Sequence, residues 1–357
     1  MINILELINH TPGWVDAENS FSDVVISSRV RLARNLQSCR FVERASEHEL
    51  LEVIDRIQNV IFSIEELKKS NLLVMDHLTK NEQAIFRERR IITSGFMEGE
   101  KPREFAFLPD ETVSLMINEE DHLRLQSIQS GFQLKKAWKV VQYLEQKFST
   151  SLTFSHSDEF GFLTSNPGDL GSGVRFSVYA HLPALMLTKE IEDVFESATT
   201  AGLLIQGVFG EDKESVGSYF QVSNQYTLGW HEDDLLDRII QLIEYLIEKE
   251  RSARASLLTK DPIVVEDKVF RAIGVLQYAR MISTLEFLEI LSALRLGIDL
   301  HLLQNLDYNQ LDELMILCQP HHLQEQQNRK LGKTEIDQLR ADFIRSRINL
   351  ASLKKGK

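Results

Sequence analysis

Four arginines and a few carboxylates stand in this chain where chemistry on phosphate can be assembled. "SSRVRLARN" (27–35) sets Arg29 and Arg31 two residues apart behind an apolar run. Side chains alternate along a strand, so both guanidiniums leave one face and can grip neighbouring phosphate oxygens bidentately. Alone, the same stretch reads as an edge strand with exposed arginines. "NEEDHLRLQ" (118–126) gathers Glu119, Glu120, Asp121, His122 and Arg124 after an apolar stretch. Alone, it reads equally as a helix N-terminus capped by Asn118, with acids in the first turn. Metal ligation by Glu119, Asp121 and His122 is weaker, because no second His/Cys cluster has ligand spacing. "TSNPGDLGSGVRFS" (164–177) is either a tight turn or a phosphate-holding loop running into Arg175. "IQGVFGEDKE" (205–214) ends an apolar strand with Gly207 and Gly210 ahead of Glu211, as a plain loop or a hinged carboxylate.

Together these stretches narrow the chemistry. Arg29, Arg31, Arg124 and Arg175, with Glu120 and Glu211, all fall at strand ends or loops of one mixed segment. Arginines around an ATP triphosphate neutralise charge and hold the planar phosphoryl group of a transfer, where positioning and electrostatics are most of catalysis. Two glutamates suit a guanidinium acceptor: the pairing is planar and bidentate and aims one nitrogen at the phosphorus. A guanidinium holds its proton up to a pKa above about 12, so the attacking nitrogen needs a carboxylate to take it.

The elements that must position these groups are mixed up to about residue 230. "EHELLEVIDRIQNVIFSIEELKK" (47–69) carries apolar residues at helical spacing. Phe105 and Phe107, then Val113, Leu115 and Ile117, alternate about Pro109-Asp110 as a hairpin, and Val174 to Ala180 and Phe220 to Val222 alternate again. Hairpins with few strand–helix–strand spacings predict an α+β fold, an antiparallel sheet flanked by helices. Beyond "HEDDLLDRIIQLIEYLIEKERSAR" only helical periodicity remains, with a capping box at Ser283 and Glu286, so an all-α segment follows. The expected division is 1–22 as a helical lead-in, 23–256 as the catalytic domain and 257–357 as the helical C-terminal domain. The stretch 324–334 is expected to be a mobile linker, His321-His322 a loop, and Trp138 and Tyr143 core residues. Cys318 reads as buried filler.

Charge excludes one class of partner. Forty basic against fifty-three acidic side chains leave −13, which argues against non-specific nucleic-acid binding. No stretch approaches the roughly 18 apolar residues of a membrane span. The two cysteines, Cys39 and Cys318, cannot form a disulfide framework. A cytoplasmic protein without a signal peptide is the expectation.

At this point a resemblance enters. "SSRVRLARN", "NEEDHLRLQ" and the run P-x-x-L-G-S-G-V-R-x-S-V from Pro167 to Val178 resemble, in order and spacing, the motifs of the ATP:guanidino phosphotransferases (phosphagen kinases), over roughly residues 20–250. "HLPALMLTKEI", "GVFGE", "QVSNQYTLG", "YARMISTLEFLEILSALRLGIDL" and "LDELMILCQPHHLQ" are similar to the bacterial protein-arginine kinase branch. The resemblance implies Glu120 and Glu211 as the catalytic pair, with Glu120 favoured as the base. It implies nucleotide contacts at Ser27, Ser28, Arg29, Val30, Arg31, His77, Arg124, Arg175, Phe176, Ser177, Val178, Tyr179, Gly207 and Gly210. ATP is the expected cofactor, with Mg²⁺ bridging its phosphates and no protein-built metal site. Protein substrates with exposed arginines, a zinc-binding adaptor, a stress repressor and a Clp-type protease system are the implied partners, with a homodimer compatible. The branch's phosphoarginine motif on the last helix maps to Asp337 and Arg340, with Ile336 replacing an arginine.

Three positions depart from the family: Asn166 stands for its loop cysteine, Asp169 for its loop asparagine and Gln206 for an arginine. They motivate a second reading, a pseudokinase acting as a regulatory binding module. A third, a kinase for free small guanidines, is disfavoured because the chain begins almost directly at the catalytic segment.

Overall fold

The computed structural model describes residues 3–15, 21–208, 215–327, 329–348 and 354–355. Eight strands form one antiparallel sheet: β1 (Val25–Arg34), β2 (Asn71–Val74), β3 (Glu104–Phe107), β4 (Val113–Ile117), β5 (Leu123–Ser130), β6 (Val174–His181), β7 (Leu203–Gly207) and β8 (Tyr219–Asn224). Their order is β2-β3-β4-β5-β1-β6-β8-β7. The hairpin predicted about Pro109-Asp110 is β3–β4, with Phe105 opposite Met116 and Phe107 opposite Ser114.

The helices that bear on the site are α1 (Glu47–Ser63), α2 (Lys80–Glu88), α3 (Leu134–Ser149), α4 (Glu232–Lys260), α5 (Pro262–Tyr278), α6 (Thr284–Asp299), α7 (Tyr308–Leu317), α8 (Pro320–Glu325) and α9 (Lys333–Arg347); the chain also forms the helices Pro183–Thr188 and Ile191–Thr200 and several short turns. The Ser283–Glu286 capping box opens α6 as its sequence predicts. Helix α4 runs on through residue 256 to Lys260, and Pro262 at the first turn of α5 restarts the chain.

One sheet face is sealed by α3 and α4. Val30 and Leu32 of β1 and Phe176 and Val178 of β6 turn into this core. Trp138 of α3 meets Phe176 edge-on at 5.6 Å and donates its indole N–H to Asp233 at 2.9 Å. Tyr143, expected beside it in the core, is exposed and donates its hydroxyl to Glu66. The helical period carries it to the solvent side of α3. The other sheet face keeps the alternate residues, bordered by α7 and α8. Ile316 and Leu317 of α7 pack with Trp14, Val15 and Ile128, and the Tyr179 hydroxyl points to the Met315 sulfur at 3.7 Å.

Other expectations are corrected here. His321 and His322 lie in α8, not a loop: Pro320 starts the helix, and Glu88 accepts hydrogen bonds from both backbone N–H groups. Of the segment 324–334, described residues on both sides are tied together: the Gln324 amide donates to Arg329 O and accepts from Leu331 N, both at 2.8 Å. Cys318 is fully buried, and burial pushes its thiol pKa up.

A buried arginine joins the helical segment to the sheet segment: Arg254 meets Asp299 at 2.9 Å and Asp23 at 3.5 Å, with Glu250 of its own helix at 2.8 Å. Within the helical segment Arg295 donates to Asp312 at 2.6 Å. Burial outweighs the pull of Arg254 and lifts the Asp299 carboxyl to about 6. A folded-state pKa above the unfolded value means the folded chain binds the proton first, so the cost of this carboxylate is relieved as pH falls below about 6. Replacing Asp299 by Asn removes that relief. The stability of the wild type relative to Asp299→Asn is expected to rise by up to about 3 kcal/mol between about pH 7.5 and about pH 4. Paired thermal melts across that range check it; a difference independent of pH contradicts it.

Candidate active site

The open sheet face is a row of polar side chains fixed by strand register. Arg31 of β1 stands opposite Arg175 of β6 and Gln126 of β5, and Arg29 stands opposite Ser177. Arg124 pairs with Ala33 one register step away. The alternation that puts Phe176 and Val178 into the core therefore delivers Arg175 and Tyr179 to the site, while Ser177 between them is buried and donates to Arg29 O at 3.2 Å.

The same rule corrects several expected nucleotide contacts. Val30, Phe176 and Val178 point into the core. Ser28 is buried, donating to Gly131 O and accepting from Gln133 N, both at 2.8 Å. Ser27 is buried on the Arg29 side, opposite Tyr179. His77 ends the turn after β2, the outermost strand, and lines neither of the two cavities on this face.

The first cavity, of about 190 Å³, is lined by Arg31, Ala33, Glu120, Arg124, Asn166, Asp169, Gly173 and Arg175. Its floor is the 118–122 turn, a connection between β4 and β5 rather than the helix start its acids suggested; Asn118 sits at φ 60° and its side chain donates to Leu50 O and Pro102 O. Asp121 and His122 are consumed structurally. Asp121 accepts from the Asn35 amide at 2.6 Å and from Ser165 N at 2.7 Å, and His122 Nδ1 accepts from Leu36 N at 3.0 Å. Among the described residues no group of three His, Cys, Asp or Glu side chains is arranged to hold a metal ion.

The two adjacent glutamates part company. Glu119 is buried, its side chain 4% exposed, and is held by Arg124 and the Thr93 hydroxyl. Glu120 is 56% exposed, faces the cavity and touches Arg124 Nη2 at 3.1 Å. Burial opposes the charge on Arg124, but Glu119, Glu120 and Asp169 together push its pKa up.

The glycine-rich loop forms the opposite wall. Asn166 caps the short turn Pro167–Asp169, its Oδ1 accepting from Gly168 N at 2.9 Å. Ser165 donates its hydroxyl to Glu120 O at 2.7 Å, so the loop is strapped to the turn that carries Glu120. Gly173 is needed twice over: its φ is 67°, and a Cβ there lies 2.8 Å from Ala33 O. Asp169 reaches into the site and accepts from Arg175 Nε at 3.2 Å and Nη2 at 2.8 Å, and also lies 4.0 Å from Arg124.

Asp169 thus occupies the cation cluster as an internal anion. Asp169→Asn is expected to tighten ATP binding by roughly tenfold, because the incoming phosphates no longer compete with a fixed carboxylate. Calorimetric titration with ATP measures it; equal or weaker binding contradicts it.

The second cavity, about 580 Å³, adjoins the first through Arg31 and lies between the sheet and the helices α6 to α8. Arg29, Gln221, Tyr179 and Val208 line its sheet side, and Arg87, Glu88, Arg90, Thr93 and Ser94 from the segment between β2 and β3 line another. Arg29 donates to Gln221 at 2.7 Å. Burial, followed by the charges of Arg31, Arg90, Arg124 and Arg175, drives the Arg29 pKa well down; burial with Arg124 and Arg175 brings Arg31 to about 10. So crowded a cluster of cations favours an anion.

Gly207 ends β7, and Gln206 beside it is exposed and opposite Gln221. Gly210 and Glu211 lie outside the described residues. On the last helix Arg340 is fully buried, donating to Cys318 O, Ile282 O, Thr284 and Asp337. The arginines of the "RERR" run at 87–90 belong to none of the motifs read from the sequence. Their count in one short stretch was the available signal.

Comparison with known proteins supplies the family. Residues 52–253 match the family described as ATP:guanido phosphotransferase, C-terminal catalytic domain, and residues 262–357 match the Protein-arginine kinase McsB C-terminal domain. The chain is 39% identical to a protein-arginine kinase of Bacillus subtilis over 341 residues, covering 94% of this chain and 93% of the other. It is 37% identical to one of Halothermothrix orenii over 350 residues, 98% and 100% of the two chains. In structure it is similar to lombricine kinase, with a TM-score of 0.59, 20% identity and coverage of 68% and 71%. It is also similar to the duplicated taurocyamine kinase from Schistosoma mansoni, with a TM-score of 0.61, 22% identity and coverage of 79% and 40%. These two likenesses bear on the fold, a guanidino kinase sheet. The curated relatives carry the kinase name, and the binding-module alternative finds no support among them.

Proposed function

The chain belongs to the ATP:guanido phosphotransferase family, in its protein-arginine kinase branch, and acts as a protein-arginine kinase; on that premise we propose that the smaller cavity is where phosphate passes from ATP to a target arginine. One observation carries the proposal: Glu120, the exposed member of the glutamate pair, shares that cavity with Arg31, Arg124 and Arg175.

In this reading Glu120 binds the target guanidinium, and the target takes the place Arg124 holds against it at 3.1 Å. Arg124 is thereby released toward phosphate. A target nitrogen attacks the γ-phosphorus, the bond from that phosphorus to the β,γ-bridging oxygen breaks, and the nitrogen's proton goes to the Glu120 carboxylate. ADP departs with the bridging oxygen. Arg31, Arg124 and Arg175 hold the charge spread over the transferring group. Glu211 is the proposed second carboxylate on the guanidinium. In the sequence Gly207 and Gly210 precede it.

The carboxylates beside the cavity do not form a magnesium cage. Asp169 is spent on Arg175 and Glu119 on Arg124. Magnesium enters on the nucleotide and offsets its phosphate charge. Arg340 and Asp337 are the proposed remnant of a phosphoarginine site. A zinc-binding adaptor, a stress repressor and a Clp-type protease are the proposed partners, on the family relationship alone.

Labelled ATP, Mg²⁺ and an arginine-rich protein test the transfer directly. Acid-labile phosphate on the protein is the expected product. ATP bound without any transfer to protein contradicts the reading.

A further inference from the structure

Helix α2 ends against its own backbone preference. The turn closes with Ile91 N donating to Phe86 O at 3.0 Å and Arg90 N to Arg87 O at 2.9 Å, and Arg90 takes φ 63°. Glycine is favoured at such a left-handed helix end, and a side chain there costs about 1 kcal/mol. An arginine stands there nonetheless. Its carbonyl accepts from Gln126 of β5 at 2.7 Å, which pins this turn to the sheet.

The guanidinium turns toward the larger cavity. It stacks 4.0 Å from the Tyr179 ring centre and 5.4 Å from that of Trp14. Among the described residues no carboxylate comes within ion-pairing distance of it, although Asp312 acts on it from farther off. Among the described residues the one acid lining this cavity, Glu88, is turned to the α8 backbone and the His322 ring. Arg29 across the cavity has the neutral Gln221 as its hydrogen-bond partner. Two partly buried guanidiniums that no described carboxylate pairs, in a space that opens at Arg31 onto the transfer cavity, are matched by a polyanion. A strained arginine retained at a glycine position points the same way.

We propose that Arg90, with Arg29, binds the non-transferred phosphates of the nucleotide, so that this chain draws a phosphate contact from the turn that ends α2. The proposal rests on reading the smaller cavity as the transfer site: a γ-phosphate held among Arg31, Arg124 and Arg175 leaves the inner phosphates to run into the larger cavity. An adjacent, more strongly held triphosphate also offsets the loss of an arginine at Gln206.

Arg90→Gly is the informative variant, because glycine suits the left-handed backbone and the fold is expected to melt no earlier than wild type. Titration calorimetry on the full chain with ADP, ATP, adenosine and free phosphoarginine reads the result. Arg90→Gly is expected to weaken ADP and ATP at least about tenfold while leaving adenosine unchanged, and Arg90→Lys to recover part of the loss. In turnover KM for ATP rises more than kcat falls. Unchanged ADP affinity overturns the proposal, as does an equal loss for ADP and adenosine, which marks a packing residue. A loss confined to phosphoarginine overturns it too, assigning the cavity to a phosphorylated guanidine. Failure of the wild-type chain to bind ADP, or an Arg175→Gln variant that transfers phosphate at the wild-type rate, sinks the transfer-site reading instead.

Discussion

Glu120→Gln is expected to lower kcat for arginine phosphorylation about 10³-fold while ATP affinity moves no more than a few-fold. The amide keeps the shape of the side chain but can neither pair as an anion with a guanidinium nor take its proton. Its neighbours limit side effects: Arg124 keeps Glu119 as a buried partner, and Ser165 is bound to the Glu120 backbone, not to its carboxylate. The fold is therefore expected to stand. Single-turnover transfer with ATP preloaded separates the chemical step from binding. A rate within a few-fold of wild type places the base elsewhere, with Glu119 excluded by its burial against Arg124. A large loss of ATP affinity with little change in rate contradicts the assignment from the other side.

Arg175→Gln carries the second large effect. Removing one arginine from a transferring phosphoryl group costs on the order of 10³-fold in kcat or more. The variant also strands Asp169, whose two close contacts are to Arg175, and a stranded carboxylate near the phosphates depresses activity by repulsion alone. The double variant Arg175→Gln with Asp169→Asn separates the two causes. Loss of transition-state charge predicts that the double variant stays at least about a hundredfold below wild type. Recovery to the wild-type rate means that Arg175 serves only to neutralise Asp169.

The strand arginines were legible because a period of two is a property of local sequence. "SSRVR" fixes Arg29 and Arg31 to one face wherever the strand lies in the sheet, and register then adds Arg175 and Gln126 as neighbours. Local sequence does not choose between the members of a pair such as Glu119-Glu120. That choice depends on the tertiary positions of Arg124 and Thr93. His77 failed for a similar reason, since no short-range signal says that β2 forms the far edge of the sheet. Arg90 was invisible because its role depends on a helix end, a tyrosine ring and a cavity wall supplied by three separate segments. The sequence places Asp169 in the glycine-rich loop ahead of Arg175. Its bidentate hold on Arg175 needed the folded loop.

The curvature of cause runs from sequence to charge. Apolar alternation seals one face, the alternate positions collect arginines on the other, and a glycine-rich loop strapped to the Glu120 turn closes the pocket. The guanidiniums of Arg29, Arg31 and Arg90, which no described carboxylate pairs, are what the nucleotide meets first. The most direct measurement of this arrangement is a crystal structure with Mg-ADP, nitrate and an arginine-containing peptide, nitrate standing for the planar phosphoryl group. The account predicts nitrate among Arg31, Arg124 and Arg175, with the peptide guanidinium on the Glu120 carboxylate. A guanidinium bound away from Glu120, or nitrate outside that ring of arginines, contradicts it.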